Sequence, residues 1–146
     1  MESIVFGYCE KECVELISDK EKQIREQLIS KMSDTFTWIS DPNHTMKLMY
    51  HDYGIVRKNK ELIRHRVFVT KLKEGCEQEY KSRHDKLIEN RGNTINYGPD
   101  SNFSIWSSGG YIFGYNEIDV TMEHDQTDEE KYETIQWEKQ QLEIMD

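Results

Sequence analysis

Hydrophobic and polar residues alternate along several short stretches of this chain, and charged stretches separate them. The clearest alternation is TMKLMYHDYGIV (45–56), where Met46, Leu48 and Tyr50 would share one face of a half-buried strand. β-Branched and aromatic residues predict further strands at 3–9, 66–72, 102–107 and 110–118. Ser108-Gly109, between the last two, is typical of a short hairpin turn.

Three charged segments have the spacing of helices and lie between the predicted strands. The first is SDKEKQIREQLISKM (18–32), with Ser18 or Asp19 as its N-cap. The second covers 72–90, and the third covers about 127–145. The predicted order of elements is therefore β-α-β, a linker, and then β-α-β-β-α.

A charged stretch without periodicity, at 57–65, is the predicted linker between the two groups of elements. It divides the chain into two half-domains, 1–56 and 66–146. Each half carries strands and helices but too few strands for a complete sheet, so we expect the halves to build one sheet together.

Nearly the same strand occurs twice in the chain. SIVFGYCE (3–10) and GGYIFGYNE (109–117) both contain Phe-Gly-Tyr followed by one polar residue and Glu. The helical segments behind them, 18–32 and 127–141, align without gaps. The pattern indicates a duplicated strand and helix, and a chance match of two short strands is the alternative.

A β-α-β-β-α-β order is typical of an α+β domain in which four strands form one antiparallel sheet with both helices on one face, as in ferredoxin-like folds. Here the second half of such a domain comes first. We expect residues 3–56 to supply strand 3, helix 2 and strand 4, and residues 66–107 to supply strand 1, helix 1 and strand 2. The copy at 110–145 would then be surplus, or would complete a neighbouring chain.

Composition and charge narrow the range of partners. The net charge is −9, and residues 117–146 carry all of it, with eleven acidic residues and two lysines. Such an acidic end repels phosphate backbones, which argues against nucleic acid. No stretch approaches the roughly 18 apolar residues of a membrane span. The three cysteines, Cys9, Cys13 and Cys76, and the absence of a signal-peptide pattern favour free thiols in the cytoplasm.

The candidate chemistry lies on the second predicted helix. Tyr80 and His84 are four residues apart, so they share the stripe that faces the sheet. A histidine can donate and recover a proton near neutral pH, and the tyrosine hydroxyl would share that proton or orient the imidazole. Phe103, Trp106 and Tyr115 could form the wall of an apolar cleft. The alternative is that all five side chains belong to an ordinary core. The cysteines and histidines lack the spacing of metal ligands, so no metal is expected.

LKEGCEQEYKSRH, followed by NFSIWSSGGYIFGYNE, resembles the L-rhamnose mutarotases. The resemblance covers 66–118 well, and 1–56 is similar, more loosely, to the C-terminal half of that family. It implies a ferredoxin-like fold that assembles as a dimeric α+β barrel in the cytoplasm. The implied function is that of an isomerase without a cofactor, which interconverts the anomers of L-rhamnose or a similar deoxysugar by opening the pyranose ring.

Carried over residue by residue, the resemblance makes His84 the proton donor and Tyr80 a group that binds the sugar or shares the proton. Phe103 stands where the family has a sugar-contacting tyrosine, and Trp137 matches the first of two adjacent tryptophans, of which Glu138 replaces the second. The Ile-Trp-Pro-Glu-Leu segment that follows the family's histidine is absent here. The residues implied to bind substrate are Tyr80, Phe103, Trp106 and Trp137.

Two other functions are compatible with these departures from the family pattern. The chain could be a non-catalytic relative that binds a sugar or assembles with itself, or another small dimeric α+β enzyme such as a cofactor-free monooxygenase. In each case we expect a homodimer, and exchange of the strand at 110–118 between chains is one route to it.

Overall fold

A computed structural model of the chain describes residues 4–8 and 18–146. The chain divides into two compact units, with the boundary between Thr45 and Met46. The first unit contains one described helix, and the second contains the sheet and two helices. The helices are α1 (Asp19–Ser33), α2 (Glu77–Asn90) and α3 (Asp128–Leu142). The strands are β1 (Lys47–Gly54), β2 (Ile63–Lys71), β3 (Asp100–Ser108) and β4 (Tyr111–Asp119).

The four strands form one antiparallel sheet in the order β1-β3-β4-β2. The β3–β4 hairpin lies at its centre, and Ser108 and Tyr111 pair at the turn. The order β2-α2-β3-β4-α3 follows the first five elements of a ferredoxin-like domain, which confirms the predicted α+β class. The sixth element of a ferredoxin-like domain would be a strand on the free edge of β2. The described sheet ends at β2, and the residue after it, Leu72, makes one antiparallel bridge with Met145.

The main core lies between the sheet and α2. Tyr80 and His84 are the buried residues of α2, as their four-residue spacing predicted. The buried residues of the core come from β1, β3 and β4, from α2 and from the chain on either side of the helices: Met49, Tyr50, Leu72, Tyr80, Ile105, Ile112 and Ile144. Burial of these side chains gives the main stabilisation of the second unit.

Helices α1 and α3 begin in the same way, which agrees with the repeat in the sequence. Ser18 and Thr127 each accept a hydrogen bond from the backbone N–H three residues later, and the glutamates Glu21 and Glu130 bond back to the cap residues. These are two complete capping boxes, and Ser18 is confirmed as the N-cap. Because a capping box is common at helix starts, this similarity does not test the duplication, which stays a prediction.

The position of the N-terminal copy differs from the prediction. Residues 4–8 contain no strand, so the strand expected at 3–9 is wrong over those residues; the rest of that range lies outside the described residues. Strand β4, in contrast, pairs on both of its edges and takes the place of strand 3. It is therefore not surplus, and neither of its edges is open to a neighbouring chain.

Strand β1 also lies elsewhere than expected. The sequence placed residues 45–56 as strand 4, which would pair with strand 1, but β1 pairs with β3 at the opposite edge of the sheet. The compact unit that contains β1 begins at Met46. It therefore includes the predicted linker at 57–65 and the elements on both sides of it. The division of the chain into two half-domains joined by a linker at 57–65 stays a prediction.

A β-bulge in β1 changes which residues face the core. Leu48 pairs with Trp106 and Tyr50 pairs with Ile105, so Met49 is the extra residue. Met49 and Tyr50 are both buried, whereas Leu48 is 52% exposed. The expectation that Met46, Leu48 and Tyr50 share one face is therefore wrong, because a bulge breaks the two-residue period.

The packing around Gly114 explains why the second Phe-Gly-Tyr motif has a glycine at its centre. The ring of Phe68 lies over Gly114 from the paired strand, and a Cβ at this position would stand 2.0 Å from the ring. Phe68 in turn lies beside Phe103, with ring centroids 6.4 Å apart. The glycine thus admits an aromatic ring to the helix-facing side of the sheet.

We expect Gly114→Ala to displace Phe68 and to lower the free energy of unfolding by about 1–3 kcal/mol, the usual cost of overpacking a core. Urea denaturation of the variant and the parent protein measures this difference. Gly7→Ala is the matched control, because a Cβ at Gly7 meets nothing within 4 Å. Equal unfolding free energies for Gly114→Ala and the parent would contradict the packing described here.

Candidate active site

His84 and Tyr80 lie one turn apart on the face of α2 that packs on the sheet. Their ring centroids are 4.3 Å apart, and their exposed fractions are 4% and 2%. The helical period places both rings on the same side of α2. The pair is therefore enclosed between the helix and the sheet.

Four aromatic rings surround the imidazole of His84, and we call this group the His84 cluster. They come from four different elements: Tyr80 from α2, Trp137 from α3, Tyr50 from β1 and Phe103 from β3. The centroid distances to His84 are 4.3 Å for Tyr80, 5.3 Å for Trp137, 5.5 Å for Tyr50 and 6.4 Å for Phe103. The last three meet the imidazole in edge-to-face arrangements, which aromatic pairs favour.

The hydrogen bond of His84 defines the protonation of its ring. Nδ1 lies 3.0 Å from the backbone carbonyl oxygen of Tyr80. A carbonyl oxygen only accepts, so Nδ1 carries a proton and donates it. In the neutral imidazole, Nε2 then carries a lone pair and is the nitrogen that can take up a proton.

Burial lowers the pKa of His84 below its ordinary value of 6.5, and the hydrogen bond to Tyr80 and the charge of Asp85 offset only part of that effect. The cause is that a charged imidazolium loses its hydration among apolar rings. At neutral pH His84 is therefore neutral, with its proton on Nδ1.

The two tyrosines of the cluster keep their protons. Burial raises the pKa of Tyr80 above its ordinary value. Burial, followed by the negative charge of Asp52, raises the pKa of Tyr50 to about 12. Asp52 itself pairs with Arg91 at 2.7 Å. Both hydroxyls can thus donate as well as accept hydrogen bonds at neutral pH.

A groove between α2 and α3 borders the cluster at Trp137. Its volume is about 550 Å³, within the range of small-molecule sites. Its lining residues are Arg83, Lys86, Leu87, Asn90, Trp137, Gln140 and Glu143. Trp137 lines the groove and also contacts His84, so its indole ring stands between the groove and the imidazole.

The structure brings together four of the six residues that the sequence suggested. Tyr80, His84, Phe103 and Trp137 meet in the His84 cluster, and Trp106 does not. Trp106 lies on the other face of the sheet, opposite Leu48 and Phe113. Its assignment to the sugar site finds no support in this placement.

Tyr115, expected in the cleft wall, also lies on the sheet face away from the cluster. Its hydroxyl is 2.8 Å from Nδ1 of His65 and donates to Glu117 at 3.2 Å. Strand alternation accounts for this, since Tyr115 is one residue from Gly114, which faces the helices.

Tyr50 is the cluster residue that the sequence did not suggest. The alternation in β1 did predict a strand, but pairing with β3 and the bulge at Met49 are what bring Tyr50 to His84. Tyr50 also contacts Phe103, at a centroid distance of 5.5 Å. A tyrosine hydroxyl therefore stands in the cluster next to the phenylalanine that lacks one.

Within residues 4–8 and 18–146, no group of three or more His, Cys, Asp or Glu side chains could hold a metal ion. In the same part of the chain, no helix is both long enough and apolar enough to cross a membrane.

Comparison with known proteins identifies a family for the larger part of the chain. A family model described as L-rhamnose mutarotase matches residues 65–146, more than half of the chain. No curated protein and no solved structure matches. The matched region runs from β2 through α3 and contains Tyr80, His84, Phe103 and Trp137, whereas β1 lies before it. The chain belongs to the L-rhamnose mutarotase family.

Proposed function

We propose that this protein interconverts the anomers of L-rhamnose, or of a similar deoxysugar, by acid–base catalysis at His84. The observation that carries the proposal is the neutral imidazole with Nδ1 held on the Tyr80 carbonyl, inside a cluster built from four elements. The family match supports the same activity. Because ring opening needs only proton transfer, side chains of the protein are sufficient for the reaction.

The reaction moves one proton between two oxygens of the sugar. The anomeric hydroxyl loses its proton, and its electron pair forms the carbonyl of the open aldehyde. The bond between the anomeric carbon and the ring oxygen breaks, and the ring oxygen takes up a proton. Rotation about the bond to the carbonyl carbon, followed by the reverse steps, gives the other anomer.

His84 is suited to both transfers. In its neutral form, Nε2 takes the proton of the anomeric hydroxyl and then delivers it to the ring oxygen. Both oxygens are attached to the same carbon, so one nitrogen can serve both. The bond from Nδ1 to Tyr80 stabilises the imidazolium that forms between the two steps. Help of this kind is worth roughly 10²–10⁴-fold in rate.

The tyrosine hydroxyls would hold the sugar in place. Tyr80 packs on His84 from the same helix, and Tyr50 approaches it from the sheet. In our proposal, Tyr50 supplies the hydroxyl that Phe103 lacks. Asp52 pairs with Arg91 on the same face of β1 as Tyr50, and the Tyr50 hydroxyl keeps its proton, so it can donate to the substrate or accept from it.

The apolar rings match the apolar surface of a deoxysugar. Phe103 and Trp137 present ring faces and edges that would pack on the C–H groups and the methyl group of the substrate. Trp137 lines the groove between α2 and α3, so a sugar that enters by the groove meets this ring before it reaches His84.

A non-catalytic, sugar-binding role is the second candidate, and one observation favours it. Tyr80 and His84 are almost completely buried, as satisfied core residues are, and Phe103 lacks a hydroxyl. In that role His84 would serve packing and would exchange no proton. The variant of His84 described below separates the two roles.

The resemblance also implies a cytoplasmic homodimer, and both features remain part of the proposal. A sheet face that points away from α2 favours a second copy as its partner, because Leu48, Val67 and Val69 are exposed on it. Burial of such side chains in a dimer would stabilise it.

We expect His84→Asn to slow anomer exchange by roughly 10²–10⁴-fold, the usual contribution of an acid–base group, while the protein stays folded. The asparagine amide can still donate to the Tyr80 carbonyl, so packing and the local hydrogen bond are kept. Magnetisation-transfer NMR on L-rhamnose measures exchange between anomers. His65→Asn, on the other face of the sheet, is the control and should exchange at the parental rate. Undiminished exchange by folded His84→Asn would leave the binding role as the better account.

Tyr50→Phe should slow exchange by roughly fivefold, because one hydrogen bond to the sugar is worth about 1 kcal/mol. Phe103→Tyr in the same chain should restore much of the rate, since it places a hydroxyl where the family has one. The same NMR measurement on the single and the double variant tests this. No loss in Tyr50→Phe, or no recovery in the double variant, would contradict the assignment of Tyr50.

The stability of the protein should fall as the pH drops below 6.5. An unfolded chain binds a proton on His84 near pH 6.5, and the folded protein binds it only at a lower pH, because its pKa is lowered. Between these two values the unfolded state holds the extra proton, so acid favours unfolding. Urea denaturation at pH 7.5 and pH 5.5 should show a larger loss for the parent protein than for His84→Asn. An equal loss in both would show that His84 is not the group that titrates.

A further inference from the structure

Gln141 on α3 is buried without a hydrogen-bond partner. Its exposed fraction is 5%, and neither the nitrogen nor the oxygen of its side-chain amide has a partner among the described residues. Buried polar side chains in folded proteins are nearly always hydrogen-bonded, so an amide with both ends unpaired requires an explanation. Asn116 differs, because its nitrogen still donates to Asp100.

The position of Gln141 relates it to the His84 cluster. It follows Trp137 by four residues, so the two side chains share one face of α3, about 6 Å apart along the helix axis. Trp137 is level with His84, and the carbonyl of Ile144, just after α3, accepts a bond from the backbone N–H of Lys73, just before α2. The two helices therefore run antiparallel, and Gln141 lies beside the first turns of α2, the part that carries Tyr80.

We propose that the amide of Gln141 is a binding group for the hydroxyls of the sugar that occupies the His84 cluster. This inference rests on the proposed function and extends it to a residue that the family resemblance does not assign. An amide offers two donors and an oxygen that accepts, which suits two neighbouring hydroxyls of a pyranose. The 6 Å step from Trp137 to Gln141 is comparable to the width of one sugar ring, so both residues can touch the same ligand.

The chemistry of the surroundings favours a neutral ligand rich in hydroxyl groups. Arg83, the charged residue of α2 that contacts the end of α3, is already paired, since it binds Glu79 and lies 3.6 Å from Glu143. Arg83 also donates to the backbone carbonyl of Gln140. The unpaired group is therefore a neutral amide, and a sugar hydroxyl would satisfy it without bringing a charge into the core.

This role makes Gln141 a determinant of specificity. A buried amide that bonds a particular hydroxyl rejects a sugar that lacks it, because the amide is then left unpaired again. Epimers and deoxy derivatives at that hydroxyl should bind more weakly than L-rhamnose, and the discrimination should disappear when the amide is removed.

The test is Gln141→Met, which keeps the length of the side chain and removes the amide. Gln78→Met on the exposed side of α2 is the matched control. We expect L-rhamnose to bind Gln141→Met roughly tenfold more weakly, as measured by NMR titration of the purified protein. The melting temperature of the ligand-free variant should rise by about 2–4 °C, because the unpaired amide is gone. The control should change neither quantity.

Unchanged binding of L-rhamnose by Gln141→Met would overturn the inference, even if the variant melts at a higher temperature. A lower melting temperature would also overturn it, because the amide would then have a partner in the ligand-free protein. If the parent protein binds L-rhamnose through Gln141 but does not exchange its anomers, the catalytic proposal fails and the binding role of Gln141 stands. A parent protein that binds no L-rhamnose overturns both.

Discussion

The hydrogen bond from Nδ1 of His84 to the carbonyl of Tyr80 is the interaction on which the proposed site depends. It fixes the tautomer, so the reactive nitrogen is Nε2, and it holds the ring in place within its own helix. Burial among four aromatic rings keeps the imidazole neutral at physiological pH. A solvent-exposed histidine on α2 would take up a second proton more readily, because its imidazolium would be hydrated. The packing of β1, β3 and α3 around His84 therefore matters to the chemistry.

The residues around His84 come from both sides of residue 65, where the match to the family model begins. Tyr80, His84, Phe103 and Trp137 lie in the region that matches the family model, and Tyr50 comes from a strand before it. The bulge at Met49 is what turns Tyr50 inward, and pairing with β3 sets it beside Phe103. In the proposed function, the Tyr50 hydroxyl on β1 takes the role that the resemblance implies for a hydroxyl at position 103 on the neighbouring strand.

Part of this arrangement could be predicted from the sequence, because it depends on local periodicity. The four-residue spacing of Tyr80 and His84, the hairpin around Ser108-Gly109 and the N-cap at Ser18 are set by residues close together in the chain. Strand parity would also have separated Trp106 from Phe103, since residues three apart on a strand face opposite ways.

Other features depend on contacts between distant residues, and no local pattern reveals them. The edge of the sheet that β1 joins is decided by its fit to β3, and the bulge at Met49 appears only in that pairing. Gln141 is polar within a very polar helix, so no local pattern predicts that it is buried. Apolar patterning does not identify a buried amide such as Gln141, although the four-residue spacing did place His84 on the buried face of its helix.

The protonation of His84 in the folded protein tests the account most directly. Nitrogen-15 NMR of the histidine side chains, with the His84 signals assigned from the His84→Asn variant, shows which nitrogen carries the proton. Near pH 7 we expect a neutral ring with a proton on Nδ1 and a lone pair on Nε2. A proton on Nε2, or a doubly protonated ring at that pH, would contradict the proposed role of His84.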